Sequence, residues 1–536
     1  LRPLLAAREG TAAEVMYTGV TAIPEFMAFA RSVPATGFIY ISASHNPIGH
    51  NGLKFGLGDG GMLPPEESNR LISAFRSLMS SPLCVMKAEA FAGASVESLA
   101  TVYASERECK KAALAAYRDF AAEIISGIKD KAGCEEFFST LRRGLEKQPL
   151  GIAADFNGSA RAVSIDREFF TSLGVAFRAL NETPGEIAHR IVPEGESLEP
   201  CRAFLDELHR ENKSFILGYT CDCDGDRGNL VYFDDREKRT RILEAQEVFA
   251  LACVAELSFL VSIGELKYDE SGNAVTKAAI AVNDPTSIRI ERIARAFGVD
   301  LFRAEVGEAN VVGLAKRLRD KGYLVRILGE GSNGGTIIHP SAVRDPVNTV
   351  GAILKLLAMR GGKGENDRGL FEIWCGRSNQ GEIYRDVFTL SDIIAALPAF
   401  VTTGVATDDA ILRIKTTDHG ILKERYQKIF VRDWGEKKRE LHEKYGISGW
   451  EAIAYNGMNE RRGIGSFSEA GRGGLKIEFT GTSKLNGKDG EKTAFIWMRG
   501  SGTEPVFRIM ADAECIEAER ELIEWQRQMV LEADAA

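Results

Sequence analysis

Tyr40-Ile41-Ser42-Ala43-Ser44-His45-Asn46-Pro47, followed by Asn51-Gly52-Leu53-Lys54-Phe55, is the stretch on which the reading of this chain turns. Gly37 to Ile41 is an apolar run of strand type. It stops at a cluster of Ser, His, Asn, Pro and Gly, so a strand ends in a polar loop. A serine at the C-terminal mouth of a strand, with His45 beside it and Lys54 ten residues on, suits a nucleophile or a phosphate carrier. Ser-His-Asn-Pro is equally a run of four turn-forming residues. Three further loops bear on the choice.

Outward from this stretch the chain repeats one pattern. Val15-Met16-Tyr17 reads as a strand, and a helical Glu25 to Arg31 then feeds the strand that ends at Ser44. Tyr117, Phe120, Ile124, Ile125 and Ile128 recur at helical spacing in the proline-free region from Leu83 to Gln148. New strands open at Leu150–Asp155, Phe215–Thr220, Ala278–Val282 and Tyr323–Leu328, with helical segments at 163–173, 199–211, 244–260 and 288–297 between them. The segment 360–386, rich in Gly, Arg, Asn and Asp, reads as a loop or insertion. After Thr402 come paired strands at Thr493–Met498 and Val506–Met510 and a closing helix, Ile516 to Leu531. The expected architecture is three similar α/β domains with mixed, mostly parallel sheets, at 1–149, 150–243 and 244–401, plus a C-terminal α+β domain at 402–536. The functional loops belong at the C-terminal strand edges.

Composition excludes several classes. A length of 536 residues exceeds one hydrophobic core, and 44% hydrophobic with 27% charged residues is globular rather than disordered or fibrous. With 67 basic against 76 acidic residues the net charge is −9, which argues against a nucleic-acid or membrane-surface partner. An anionic substrate therefore requires locally concentrated positive charge. The nine scattered cysteines read as reduced thiols of a cytoplasmic protein, and no signal peptide is read at the N-terminus. The run from Phe249 to Gly264 contains Glu256 and reads as a buried helix.

The loops carry the chemistry. Asp222, Asp224 and Asp226 alternate, and their carboxylates suit a hard divalent cation such as Mg²⁺. A calcium-binding EF-hand does not fit, because Arg227 and Phe233 stand where that loop needs glycine and glutamate. Three carboxylates alone make an over-anionic site, which leaves room for a phosphate partner. Arg499-Gly500-Ser501-Gly502-Thr503-Glu504-Pro505 with Arg508 offers glycine-freed N–H groups, two hydroxyls and two guanidiniums, a set that suits a phosphate dianion. Glu330 and Ser332, among Gly329, Gly331, Gly334 and Gly335, suit hydrogen bonds to sugar hydroxyls.

Taken in order, Ser-Ala-Ser-His-Asn-Pro with Asn-Gly-x-Lys, Asp-x-Asp-Gly-Asp-Arg, Gly-Glu-x-Ser and Arg-x-Ser-Gly-Thr-Glu-Pro resemble the signature loops of the α-D-phosphohexomutase superfamily. The resemblance runs from about Val15 to the C-terminus and implies a heart-shaped, four-domain enzyme around a central cleft. It implies that Ser44 carries a phosphoryl group and that Mg²⁺ is held by Asp222, Asp224, Asp226 and the phosphoserine. Lys54 lies at the reacting hydroxyl and Arg227 near the phosphoserine, with His45 as a further candidate for proton transfer. Glu330 and Ser332 recognise the sugar, and Arg499, Ser501, Gly502, Thr503 and Arg508 grip the non-reacting phosphate. The implied reaction interconverts 1-phospho and 6-phospho forms of glucose or mannose, with a hexose 1,6-bisphosphate as intermediate and activator. Phosphoglucosamine mutase and a sugar-bisphosphate binder without turnover are the alternatives. The expected partners are small sugar phosphates, the expected state a monomer or dimer, and the fourth domain is expected to move as a hinged clamp.

Two departures stand out. Many relatives place an acid/base histidine two residues after the loop serine, and here that position is Gly334. The family's N-terminal loop with its Gly and Arg has no counterpart from Leu1 onward, which implies a shortened chain or impaired turnover.

Overall fold

The long helix Ala245–Ser262 is apolar on every side, and such a helix has to lie inside the fold. It is long and apolar enough to cross a membrane by length and composition, yet 78% of it is buried in the core. Its one charged interior residue, Glu256, is fully buried and lies 2.6 Å from Lys355 Nζ and 2.8 Å from Arg326 Nε. Burial of a carboxylate is tolerated only with such partners. Helices Glu106–Ser126, Pro346–Ala358 and Leu370–Arg377 share its hydrophobic core. The computed structural model describes residues 15–35, 37–42, 44–46, 49–93, 96–361, 368–500 and 506–536.

Around this core the described residues form four sheets, an α/β multidomain architecture with mixed pairing. In the first, Gly37–Ile41 pairs antiparallel with Leu53–Leu57, with Tyr40 opposite Lys54. The second has five strands in the order Ala176–Leu180, Gly151–Asp155, Phe215–Cys221, Gly228–Asp234, Arg239–Ile242, the first three parallel. In the third, Ala279–Asn283 pairs parallel with both Asp300–Ala304 and Ile327–Glu330, and Gly335–Ile338 closes the sheet antiparallel. The C-terminal sheet has seven strands and is antiparallel throughout, its centre formed by Gly474–Gly481, Glu491–Gly500 and Phe507–Ala513. It packs on helices His419–Tyr445 and Ile516–Ala535.

Parallel pairing is thus confined to two sheets. Residues 42–52 form too short a link for a crossover helix, so the strands flanking the Ser44 loop can pair only antiparallel. Val15–Tyr17 forms no strand; Tyr17 instead meets the edge of the Tyr103 ring. The strand expected from Tyr323 is shorter, Ile327–Glu330, with Leu324 only bridging to Ala278. Within 360–386 lies the helix Leu370–Arg377, where Leu370, Phe371, Trp374 and Cys375 are buried and Trp374 stacks on Phe297. Its polar flanks hide that apolar spacing from a composition-based reading.

Candidate active site

The turn that presents Ser44 is held in a costly shape. Ser44 has φ +53°, in the left-handed region that L-residues avoid. Its N–H donates to Ser42 Oγ at 2.8 Å, and Ser42 Oγ donates to Asp224 Oδ2 at 3.2 Å, so the loop is tied to the aspartate cluster through Ser42. Ser44 Oγ itself donates to Asp222 Oδ2 at 3.1 Å and lies 3.4 Å from His45 Nδ1. The hairpin register brings Lys54 back beside the loop, where its Nζ donates to Asp224 Oδ2 at 2.5 Å. Sequence neighbours thus become spatial neighbours through one antiparallel pair.

Asp222, Asp224 and Asp226 follow the strand Phe215–Cys221 and are all buried, with one oxygen of each within 4.8 Å of the others. Asp224 Oδ1 and Asp226 Oδ1 are buried without a hydrogen-bond partner among the described residues. Unsatisfied buried carboxylate oxygens converging on one point fit a divalent cation with oxygen ligation. Burial, with Asp224 and Asp226 beside it, pushes the Asp222 carboxyl well above its ordinary range. At Asp226 burial acts the same way, but Arg344, Lys54 and Arg227 outweigh it and hold the group below that range. Burial disfavours the charge on Lys54, while Asp226 and Asp224 more than compensate and raise its pKa. Burial, then Arg227 and Arg344, push His45 down to about 3, so its ring is neutral at physiological pH.

Arg227 lies 3.9 Å through Nε from Asp222 Oδ2, and that Nε is buried without a hydrogen-bond partner among the described residues. An orphaned cationic donor beside Ser44 fits a phosphoryl oxygen. Glu194, facing Arg227 and Arg508, is pushed up to about 7 by burial.

The loop of Glu330 and Ser332 reaches this cluster through residues that no motif marks. Arg344 Nη2 donates to Asp226 Oδ2 at 2.6 Å and its Nη1 to Glu330 Oε2 at 3.2 Å, while its Nε lies 2.8 Å from Glu308 Oε2. Asn283 Nδ2 donates to Ser332 Oγ at 2.9 Å, and Gly307 N–H to Glu330 Oε1 at 2.7 Å. Arg344, Asn283 and Glu308 were invisible to motif reading. Asn283 ends a strand, Glu308 opens a helix and Arg344 lies just before one, positions that carry no common sequence signal.

Gly334 has φ +72°, and a Cβ there would lie 2.3 Å from Asn229 Oδ1, whose own amide donates to Pro193 O at 2.8 Å. A side chain at this position, such as the histidine of the resemblance, would therefore meet Asn229. Gly334→Ala is expected to lower stability by about 1–3 kcal/mol in urea denaturation, because both backbone angle and Asn229 oppose it.

Of the phosphate-grip residues, Ser501, Gly502 and Thr503 lie outside the described residues. Arg499 and Arg508 flank that loop as cross-strand partners; Arg499 Nε donates to Glu305 Oε1 at 2.8 Å and Arg508 Nη1 to Val405 O at 2.6 Å.

Comparison with known proteins gives three findings. Residues 5–81 and 260–368 match the models of α/β/α domains I and III of the phosphoglucomutase/phosphomannomutase family. A phosphoglucosamine mutase of Bacillus pumilus is 38% identical over 80 residues, which is 15% of this chain and 17% of that relative's length. The open-form crystal structure of the exocytosis-sensitive phosphoprotein pp63/parafusin, a phosphoglucomutase from Paramecium, superposes with a TM-score of 0.54 at 13% identity, covering 97% of this chain and 83% of that one. A phosphoglucomutase/phosphomannomutase family protein of Burkholderia thailandensis gives 0.50 at 17% identity, covering 96% and 81%. At these identities the structural likeness speaks for the fold alone.

Proposed function

The chain belongs to the α-D-phosphohexomutase superfamily, and we propose that it is a phosphohexomutase that moves a phosphoryl group between O1 and O6 of a hexose phosphate through Ser44. The observation that carries this reading is the Ser44 hydroxyl 3.1 Å from a buried aspartate cluster that has orphaned oxygens. The four-domain division at 1–149, 150–243, 244–401 and 402–536, with its loops facing one cleft, is part of the same reading.

In the forward half, the bond from phosphorus to Ser44 Oγ breaks as a bond to a sugar hydroxyl oxygen forms. That hydroxyl gives its proton to a base, for which His45 and Glu194 are the candidates, while Lys54, kept charged by Asp226 and Asp224, offers its ammonium to the reacting oxygens. The resulting hexose 1,6-bisphosphate turns over and returns its other phosphoryl group to Ser44, so no water and no net phosphate are consumed. Such a transfer needs alignment and neutralised oxygens above all. Mg²⁺, when held by Asp222, Asp224, Asp226 and the phosphoserine, supplies neutralisation of the phosphoryl charge. Arg227 offers its orphaned Nε–H to a phosphoryl oxygen. Glu330, fixed by Arg344 and the Gly307 N–H, is set to accept from sugar hydroxyls, and Arg499 and Arg508 with Ser501, Gly502 and Thr503 hold the distant phosphate.

For the substrate we infer an amino sugar. The sequence relatives carry the name phosphoglucosamine mutase, which supports glucosamine phosphate ahead of the glucose or mannose phosphate that chain length suggests. The test supplies glucosamine 6-phosphate, glucose 1-phosphate and mannose 1-phosphate in turn, with Mg²⁺ and a trace of hexose 1,6-bisphosphate. The highest kcat/KM is expected for glucosamine 6-phosphate, with EDTA abolishing turnover and Mg²⁺ restoring it. A higher kcat/KM for glucose or mannose phosphate would replace the amino-sugar assignment. Conversion of none would leave a sugar-bisphosphate binder.

A further inference from the structure

The turn Glu305-Val306-Gly307-Glu308, between the strand Asp300–Ala304 and the helix Glu308–Asp320, touches several parts of the site at once. Glu305 Oε1 accepts from Arg499 Nε, the Gly307 N–H donates to Glu330, and Glu308 pairs with Arg344, the partner of Asp226. Val306 N–H donates to Asp284 Oδ1 at 2.9 Å, and Asp284 Oδ2 accepts from Trp497 Nε1 of the C-terminal sheet. Gly307 has φ +133°, a backbone shape open to glycine that aims its N–H at Glu330.

Arg499 poses a physical problem that Glu305 solves. It sits directly opposite Arg508 across an antiparallel pair, so two guanidiniums project from one face and repel. A guanidinium that recognises phosphate through paired N–H groups must also have its plane fixed. Glu305 is itself held at three points: Oε1 by Arg499, Oε2 by the Gly457 N–H at 2.7 Å, and its backbone N–H by Gly457 O at 2.8 Å. With both carboxylate oxygens engaged, its side chain is fixed, and it fixes Arg499 in turn.

We propose that Glu305 is a positioning residue that sets the Arg499 guanidinium for a substrate phosphate, and that its turn links this grip to Glu330 and Arg344. The proposal rests on the phosphohexomutase reading. It carries a sign that separates it from a purely electrostatic role. A carboxylate beside a phosphate-binding arginine lowers the local positive potential, so if charge were its only contribution, removing it would tighten phosphate binding. If it positions Arg499, removing it weakens binding.

The experiment titrates glucosamine 6-phosphate calorimetrically into the intact protein and its Glu305→Ala, Glu305→Gln, Arg499→Ala and Glu305→Ala/Arg499→Ala variants. Glu305→Ala is expected to raise Kd about tenfold, Glu305→Gln, which keeps one acceptor oxygen, to recover most of that loss, and the double variant to bind no worse than Arg499→Ala. Unchanged or tighter binding by Glu305→Ala, or additive losses in the double variant, would overturn the proposal. Should Glu305→Ala fail to fold, a Glu305→Met variant, which keeps the volume but no acceptor oxygen, decides: a Kd several-fold weaker fits positioning, and unchanged or tighter binding overturns it. Wild-type protein that binds neither glucosamine 6-phosphate nor glucose 1-phosphate would instead remove the functional reading itself.

Discussion

Ser44→Ala is expected to lower kcat by at least about 10⁴-fold while sugar-phosphate binding changes by less than about tenfold. The separation follows from the site's layout. In the proposed reaction Ser44 Oγ receives the phosphoryl group and gives it up again, whereas binding is attributed to Glu330, Arg499 and Arg508. The substitution is also structurally mild. The backbone amide of residue 44 still donates to Ser42 Oγ, which keeps the turn tied to Asp224. Alanine pays about 1 kcal/mol in the left-handed region, no more than serine already does. What is lost is the hydrogen bond to Asp222 and the carrier oxygen itself. Incubation with a hexose 1,6-bisphosphate followed by intact-mass analysis provides the check: wild-type protein gains one phosphate and Ser44→Ala gains none. Turnover within tenfold of wild type, or a phosphate retained by the variant, would place the carrier elsewhere.

The parts of the site that were legible in the sequence are those whose chemistry is contiguous. Ser44 with His45, the alternate aspartates, and Glu330 with Ser332 each hold their donors and acceptors within a few residues, so their order along the chain and the family resemblance mark them as candidates. Arg344, Glu308, Asn283 and Glu305 act only through contacts with chain segments far away, and a lone arginine or glutamate carries no mark of its partner. The fold divides along the same line. Helices Glu106–Ser126 and Glu199–Glu211 announce themselves through apolar periodicity. The direction of the strand pair around Ser44 depends instead on link length, and the helix Leu370–Arg377 is masked by its polar surroundings. Gly334 shows both sides: its departure from the family pattern is visible in one letter, but its cause is the side chain of Asn229 against it.

The second large effect is expected at Arg344, the residue that joins the aspartate cluster to the Glu330 loop. Its side chain is 8% exposed and lies within ion-pair distance of Asp226, Glu330 and Glu308. Arg344→Met keeps most of the buried volume and removes the charge, so the buried Asp226 and Glu330 and the half-buried Glu308 lose their shared cation. Breaking a buried pair from one side costs about 3–5 kcal/mol, and this value is expected from urea denaturation at pH 7. The pH dependence has a definite sign. Asp226 is held below its ordinary range in the native protein, so its contribution is fully present above the unfolded carboxylate value of about 3.9 and is lost as pH falls below that value through the depressed native one. In the variant Asp226 loses the largest influence that opposes burial, and its carboxyl becomes easier to protonate. The gap between wild type and variant should therefore be widest at neutral pH and narrow toward pH 4.5. A cation at the aspartate cluster would partly replace the missing guanidinium, so saturating Mg²⁺ should raise the Tm of Arg344→Met by more than that of wild type. A gap that stays constant with pH would show that Arg344 acts by packing. Equal Mg²⁺ effects on both proteins would detach it from the metal cluster, leaving Glu330 and Glu308 as its only electrostatic partners.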